Sequence, residues 1–417
     1  MARAFVSPEE ATHLGLGRQH GLEKHIRSYR NGRDLMERPR GVMVIDLFGL
    51  NVEEIRSRFP EIYQHVKLEV KEKIAINKRG EQELIGRDWN NREYRKLNWW
   101  LFGENVPDLR KALVNLPRYI ATVETAKHRV FQFLDASILP DNMLVAIGLS
   151  DGFPLGVLSS RFHCIWALRA GGWLGVGNDP RYSKSRCFDP FPFPDATDAQ
   201  KAAIGAIAEE LDNHRKRVLA NHAHLTLTGL YNVLERLKVG GKPNELNDKE
   251  RRIFDDGLVL IMKELHEKLD LAVADAYGWP VDLPGEEVLA DLVALNKERA
   301  KEEARGRVRW LRPDYQIPRF GSDKEKAEQL EADLGEAVVT AAAGPKPSFP
   351  QDERDQTFVV HQTLMEASGP LDLVTIASSF KQGRKCLPAV SAVIASLYRM
   401  GLISSSDGKS FAIRRAA

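Results

Sequence analysis

Cysteine is scarce. The 417 residues hold three (Cys164, Cys187 and Cys386), with no C-x-x-C pair. That excludes a disulfide framework and a cysteine-rich zinc site as organising devices. Long apolar runs are missing as well. No stretch approaches the ~20 residues that a spanning helix needs, and the first residues have no apolar signal-like core. The expected setting is therefore cytoplasmic, with no membrane partner. No G-x-x-x-x-G-K-[ST] loop occurs. The third glycine of Gly15-Leu-Gly17…Gly21 falls one place too far on for a dinucleotide loop, and Gly175-Val-Gly177 has no third glycine. His222 and His224 stand two apart, which places them on different faces of a helix and argues against a metal site. Pro60-Glu61 with Glu69-Val70-Lys71 lies in a helical pattern, unlike a nuclease hairpin. Asp189-Pro-Phe-Pro-Phe193 lacks the second consecutive proline of an amino-methyltransferase loop and reads as a structural proline edge. No catalytic residue and no metal ligand is expected.

Charge is nearly balanced overall, at +2, but unevenly spread. Residues 1–195 carry 29 Lys/Arg against 24 Asp/Glu; residues 196–349 carry 23 against 28. A mildly basic, tryptophan-rich module precedes an acidic one, a distribution that suits a polyanion partner for the first. The first module alternates helical patterns with strand-like runs at 41–49, 118–123, 130–134 and 143–148, and residues 155–170 have the spacing of one buried helix. After residue 195 the periodicity is helical: 198–222 behind Thr197 or Asp198 as cap, then 225–237, 248–277 and 283–305. Ala-, Gly- and Pro-rich residues 341–350 read as a linker. The last segment predicts three helices and then a hairpin at Asp407-Gly408, a winged-helix pattern. The fold class expected is α+β.

Five segments occur in order: Ile26-Arg-Ser-Tyr-Arg-Asn-Gly-Arg-Asp34; Trp99-Trp-Leu-Phe-Gly103; Arg118-Tyr-Ile-Ala-Thr122 with Lys127-His-Arg129; Leu158-Ser-Ser-Arg161 with Trp166; and Arg181-Tyr-Ser-Lys-Ser185 leading to Phe191-Pro-Phe-Pro194. The set, over residues 20–280, resembles the C-terminal half of MmeI-like, type IIG-related adenine-specific DNA methyltransferases: a target recognition domain and the helical domain after it. The resemblance implies a remnant or linker of a methyltransferase domain at 1–25, a recognition domain at 26–195, a helical domain at 196–340, a linker at 341–356 and a winged-helix-like domain at 357–417. The loops of such enzymes that hold S-adenosylmethionine and the target adenine are not in this sequence. The resemblance therefore implies a severed specificity half, with double-stranded DNA as partner, a catalytic domain encoded separately or missing, no cofactor in this chain, and S-adenosylmethionine in the complete enzyme of a restriction-modification system. The rival expectations are a stand-alone specificity subunit and a protein-interaction remnant without DNA binding.

The same region suits DNA on its own chemistry. Residues 159–186 carry five Lys/Arg against one Asp, with short hydroxyl donors and glycines that let backbone approach a groove. Ser159, Ser160, Arg161, Asn178, Asp179, Arg181, Tyr182, Ser183, Lys184 and Ser185 are the candidate DNA-binding residues. Within this set, Arg181 and Lys184 are the expected contacts, and Asn178 and Asp179 the variable base readers. The competing expectation is that Arg181 pairs with an acidic neighbour and Tyr182 is core. Arg27, Arg30, Arg33 and Arg40 line either a DNA-facing seam or a solvated connector, and Thr122, Lys127 and His128 form either a phosphate contact or an ordinary turn.

Overall fold

The computed structural model of the chain describes residues 5–76, 79, 81–86, 93–174, 179–329, 347–367, 370–405 and 409–413. The fold is mixed α+β, and the backbone separates into two units, residues 1–308 and 309–417.

The first unit opens with a four-stranded sheet in the order β1 (Phe5–Val6), β3 (Met43–Ile45), β2 (Ile26–Arg30), β8 (Leu139–Pro140). β3 lies antiparallel to both β1 and β2, with Phe5 opposite Val44 and Ile26 opposite Ile45, and β2 runs parallel to β8. Residues 5–25 are thus no free connector: Val6, Ala11 and Leu22 are buried in this first core beside Ile45, Ile55, Phe59, Ile62 and Trp99. The helical pattern after residue 51 divides into Val52–Arg58 and Pro60–Val66. Phe59 leaves helical geometry, and Pro60 takes the first position of the second helix, where its missing N–H costs nothing. β4 (Ile74–Ile76) and β5 (Gln82–Leu84) form an exposed two-stranded ribbon.

A second sheet sets β6 (Arg118–Val123) between β7 (Gln132–Asp135) and β9 (Leu144–Ile147), all antiparallel. β6 is buried on both faces from Tyr119 onward, because helices cover it. The run read as one helix over 155–170 is two, Gly152–Ser159 and Arg161–Ala170. Ser160 is extended between them, and its hydroxyl donates to the Val157 carbonyl at 2.7 Å. Residues 248–277 likewise divide into Asp248–Asp256 and Val259–Tyr277 at Leu258, which adopts a left-handed φ of 46°. The Asp198–Asn221 helix starts at a capping box. The Thr197 hydroxyl accepts from the Gln200 N–H, and the Gln200 side chain accepts from the Thr197 N–H. One continuous core joins Tyr119, Ala121, Phe162 and Trp166 to Ile204, Leu211, Leu230, Met262, Leu269 and Leu292. The change of character at residue 195 is therefore a change of element type inside a shared core.

The second unit contains the terminal domain. Helices Glu353–Glu366, Leu373–Ser378 and Leu387–Arg399 pack on a sheet of order β12 (Leu371–Asp372), β14 (Ser410–Ile413), β13 (Ile403–Ser404). The predicted strands pair antiparallel with Ile403 opposite Ile413; Asp407 and Gly408 lie outside the described residues. Phe349, in the stretch read as linker, is buried in this core, and its N–H donates to the Gln382 side chain at 2.7 Å.

Candidate nucleic-acid interface

Most of the candidate residues fall around one antiparallel ribbon, β10 (Gly172–Leu174) and β11 (Asp179–Arg181), with Gly172 opposite Arg181 and Leu174 opposite Asp179. Asn178 lies outside the described residues. The ribbon faces solvent with large groups. Trp173 is 53% exposed, and Leu174, Asp179 and Arg181 are exposed too. Sequence reasoning passed over Trp173; a tryptophan set among glycines, with no apolar period to place it in a core, was the available signal.

The base of the ribbon is locked. The Tyr182 N–H donates to the Glu124 carbonyl at 2.7 Å, and Thr125 bridges to Arg181. The Arg129 guanidinium donates to the Val123 and Pro180 carbonyls and lies 4.9 Å from the Tyr182 ring centroid. Burial works against its charge, so its attachment to carbonyl oxygens is what makes the position tolerable. The Tyr182 hydroxyl and His163 Nε2 share a hydrogen bond of 3.0 Å, and Phe131 and Phe191 pack edge-on against His163. Desolvation, with Arg129 adding to it, pushes the His163 pKa down to about 3, so the imidazole is neutral at physiological pH. Gly171 has no substitute at the ribbon's start: a Cβ there would stand 2.4 Å from the Arg181 carbonyl oxygen.

This geometry divides the candidates. Ser159, Ser160 and Tyr182 are buried and present nothing to a ligand. Arg161 is committed inward: its N–H donates to Asp270 at 2.7 Å and its guanidinium to the Val281 and Leu283 carbonyls. Ser160 and Arg161 satisfy polar groups around the break between the two helices, and Tyr182 is tied to His163. Asp179, Arg181, Lys184 and Ser185 are exposed. The Ser183 hydroxyl caps the turn Lys184–Phe188 by accepting from the Arg186 N–H. Arg181 is half exposed and ion-paired with Glu124, its Nε 2.5 Å from Oε1. Lys184 is 77% exposed and 3.8 Å from Asp189. Arg169 and Arg186 are exposed and have no carboxylate partner among the described residues.

The arginines around the first sheet have partners within the chain. Arg27 donates to the Ala136 and Ser137 carbonyls, Arg40 grips Asp34 through two nitrogens, and Arg33 pairs with Glu37. Lys127 and His128 lean on Asn232, and Thr122 is buried. His222 and His224 both approach the Asp256 carboxylate, at 3.8 and 3.2 Å, because the helix ends at Asn221 and their faces are no longer fixed by helical spacing. Among the described residues no group of three or more His, Cys, Asp or Glu could hold a metal ion, and no helix is long and apolar enough to cross a membrane. The proline strap is clamped between helices, the Pro192 carbonyl accepting from the Tyr277 hydroxyl at 2.8 Å.

Comparison with known proteins bears on this segment. Residues 87–195 match the family model of the MmeI target recognition domain. The chain is 29% identical over 164 residues to DNA methyltransferase A of Bacillus subtilis (strain 168), an alignment covering 39% of this chain and 15% of that protein. A solved structure of the Type IIL restriction-modification enzyme MmeI in complex with DNA aligns at 19% identity and a TM-score of 0.49, over 72% of this chain and 34% of that one. The chain thus spans a small part of each relative's length. Residues 87–195, which include the exposed ribbon, thus resemble an MmeI target recognition domain.

Proposed function

We propose that this chain is the DNA-recognition part of a site-specific adenine-N6 methyltransferase in a restriction-modification system. It grips duplex DNA and presents a site to a catalytic domain on a separate polypeptide or a missing segment, and that domain flips the adenine and takes methyl from S-adenosylmethionine. The observation that carries the reading is the match of residues 87–195 to a target recognition domain whose exposed feature is a rigidly based ribbon. A two-stranded ribbon fits the major groove. Asp179 can accept from a cytosine amine, and Arg181 can donate to guanine. Lys184, Arg169 and Arg186, all exposed, would meet phosphates, and Ser185 would donate to them. Trp173 adds a flat apolar face.

The test is fluorescence anisotropy on mixed duplexes across a salt series. Binding that falls steeply with salt is expected, weakened roughly tenfold or more in Arg181→Ala/Lys184→Ala at low salt. Salt-independent or absent binding overturns the reading and favours a protein-interaction remnant. Co-purification with a methyltransferase polypeptide, followed by methylation of genomic DNA, separates the methylation system from a stand-alone specificity subunit.

A further inference from the structure

We propose that the terminal domain is a second duplex-docking module, independent of the ribbon, which uses the Leu387–Arg399 helix as its groove-reading element. Its topology supplies the frame. A helix, a strand, two helices and two strands follow in order, and the sheet order β12-β14-β13 places the last strand in the centre. This is the winged-helix arrangement. In helix-turn-helix modules the second helix of the pair is the one that enters the major groove.

Charge is segregated on this frame. From residue 373 to residue 405 there is no Asp or Glu, while Lys381, Arg384, Lys385 and Arg399 lie there. The acids of the domain's described part are elsewhere. Asp352, Glu353, Asp355 and Glu366 belong to the first helix or its cap, and Asp372 caps the second helix by accepting from the Thr375 N–H at 2.8 Å. Lys381, Arg384 and Lys385 cluster in the turn before the third helix, all exposed and none with a carboxylate partner among the described residues. Arg399 stands exposed at the far end of that helix.

The third helix is sided. Val390, Val393, Ile394 and Leu397 are buried in the domain core, while Pro388, Ser391, Ala392 and Ala395 face solvent over the first turns and Tyr398 over the last. Small side chains on the outward face let the helix axis approach a groove floor, and the flanking cations reach the phosphates on either side.

The experiment uses the full chain. In Lys381→Ala/Arg384→Ala/Lys385→Ala, the slope of log affinity against log salt for duplex binding should fall by roughly 2 to 3, the loss expected for three phosphate contacts. A benzophenone amino acid in place of Ser391 should cross-link to duplex DNA. Both effects should persist in a chain already carrying Arg181→Ala/Lys184→Ala, so failure of the ribbon reading and failure of this one are told apart. An unchanged salt slope overturns the proposal. So does a Ser391 adduct formed only with protein, including a second copy of the chain.

Discussion

Most arginines around the exposed ribbon, Arg169 and Arg186 apart, are tied to partners inside the fold, whereas the cations in the turn of the terminal domain are not. Near the ribbon, Arg129 is buried against carbonyls, Arg161 ties two helices to the loop at 281–283, and even the exposed Arg181 rests on Glu124. In the terminal domain, Arg384, Lys385 and Lys381 are exposed and have no acidic partner among the described residues. The density of basic residues is similar in both sequences. The partners that neutralise them differ. A cation whose donors are already spent on buried carbonyls stabilises the chain; one free of such partners can displace condensed counterions from a polyanion.

The contrast can be broken most forcefully at the ribbon's base. Tyr182→Ala removes a buried ring and a hydrogen bond to His163 and should destabilise the first unit by roughly 3–5 kcal/mol, read as a shifted urea midpoint. If stability holds and only duplex binding falls, Tyr182 belongs to the interface and its assignment to the base is wrong.

A pH series sharpens the same point. His163 is neutral in the folded state, with its pKa lowered to about 3, whereas in an unfolded chain it titrates near 6.5. The unfolded state therefore binds the proton first. Stability is fully present above about pH 6.5 and declines as pH falls toward 3. Buried His266 is shifted in the same direction. His163→Phe should flatten part of this decline in chemical unfolding at pH 7, 5 and 4; an identical pH profile would show that the imidazole is not protected.

The smallest effect is expected at the ion pair. Glu124→Gln should change stability by less than about 1 kcal/mol, as for other partly exposed pairs. It should raise low-salt duplex affinity severalfold by freeing Arg181. Unchanged affinity would place Arg181 among the structural arginines.

Much of the frame was legible from pattern alone. The strands at 118–123 and 144–147, the capped helix after Thr197 and the paired terminal strands all follow from short-range rules of period and cap. Helix interruptions were less visible. Ser160 and Leu258 break runs whose apolar spacing is continuous; at the second, Gly257 caps the end of the Asp248–Asp256 helix, a local signal that the apolar spacing hid. The candidate site was half legible. Proximity in sequence grouped Ser159, Ser160 and Arg161 with Arg181 and Lys184, but Ser159 is buried and Ser160 and Arg161 satisfy polar groups inside the fold.

The amino-acid sequence by itself determined the α+β class, the helical stretch after residue 195, the winged terminal domain and the resemblance to a recognition domain, since each rests on local periodicity or on ordered short motifs. Only the tertiary structure decided which cations are spent and which are available. A guanidinium's fate depends on the carbonyls and carboxylates that distant segments bring to it, and residues as far apart as Arg161 and Leu283 have no means of announcing that contact along the chain.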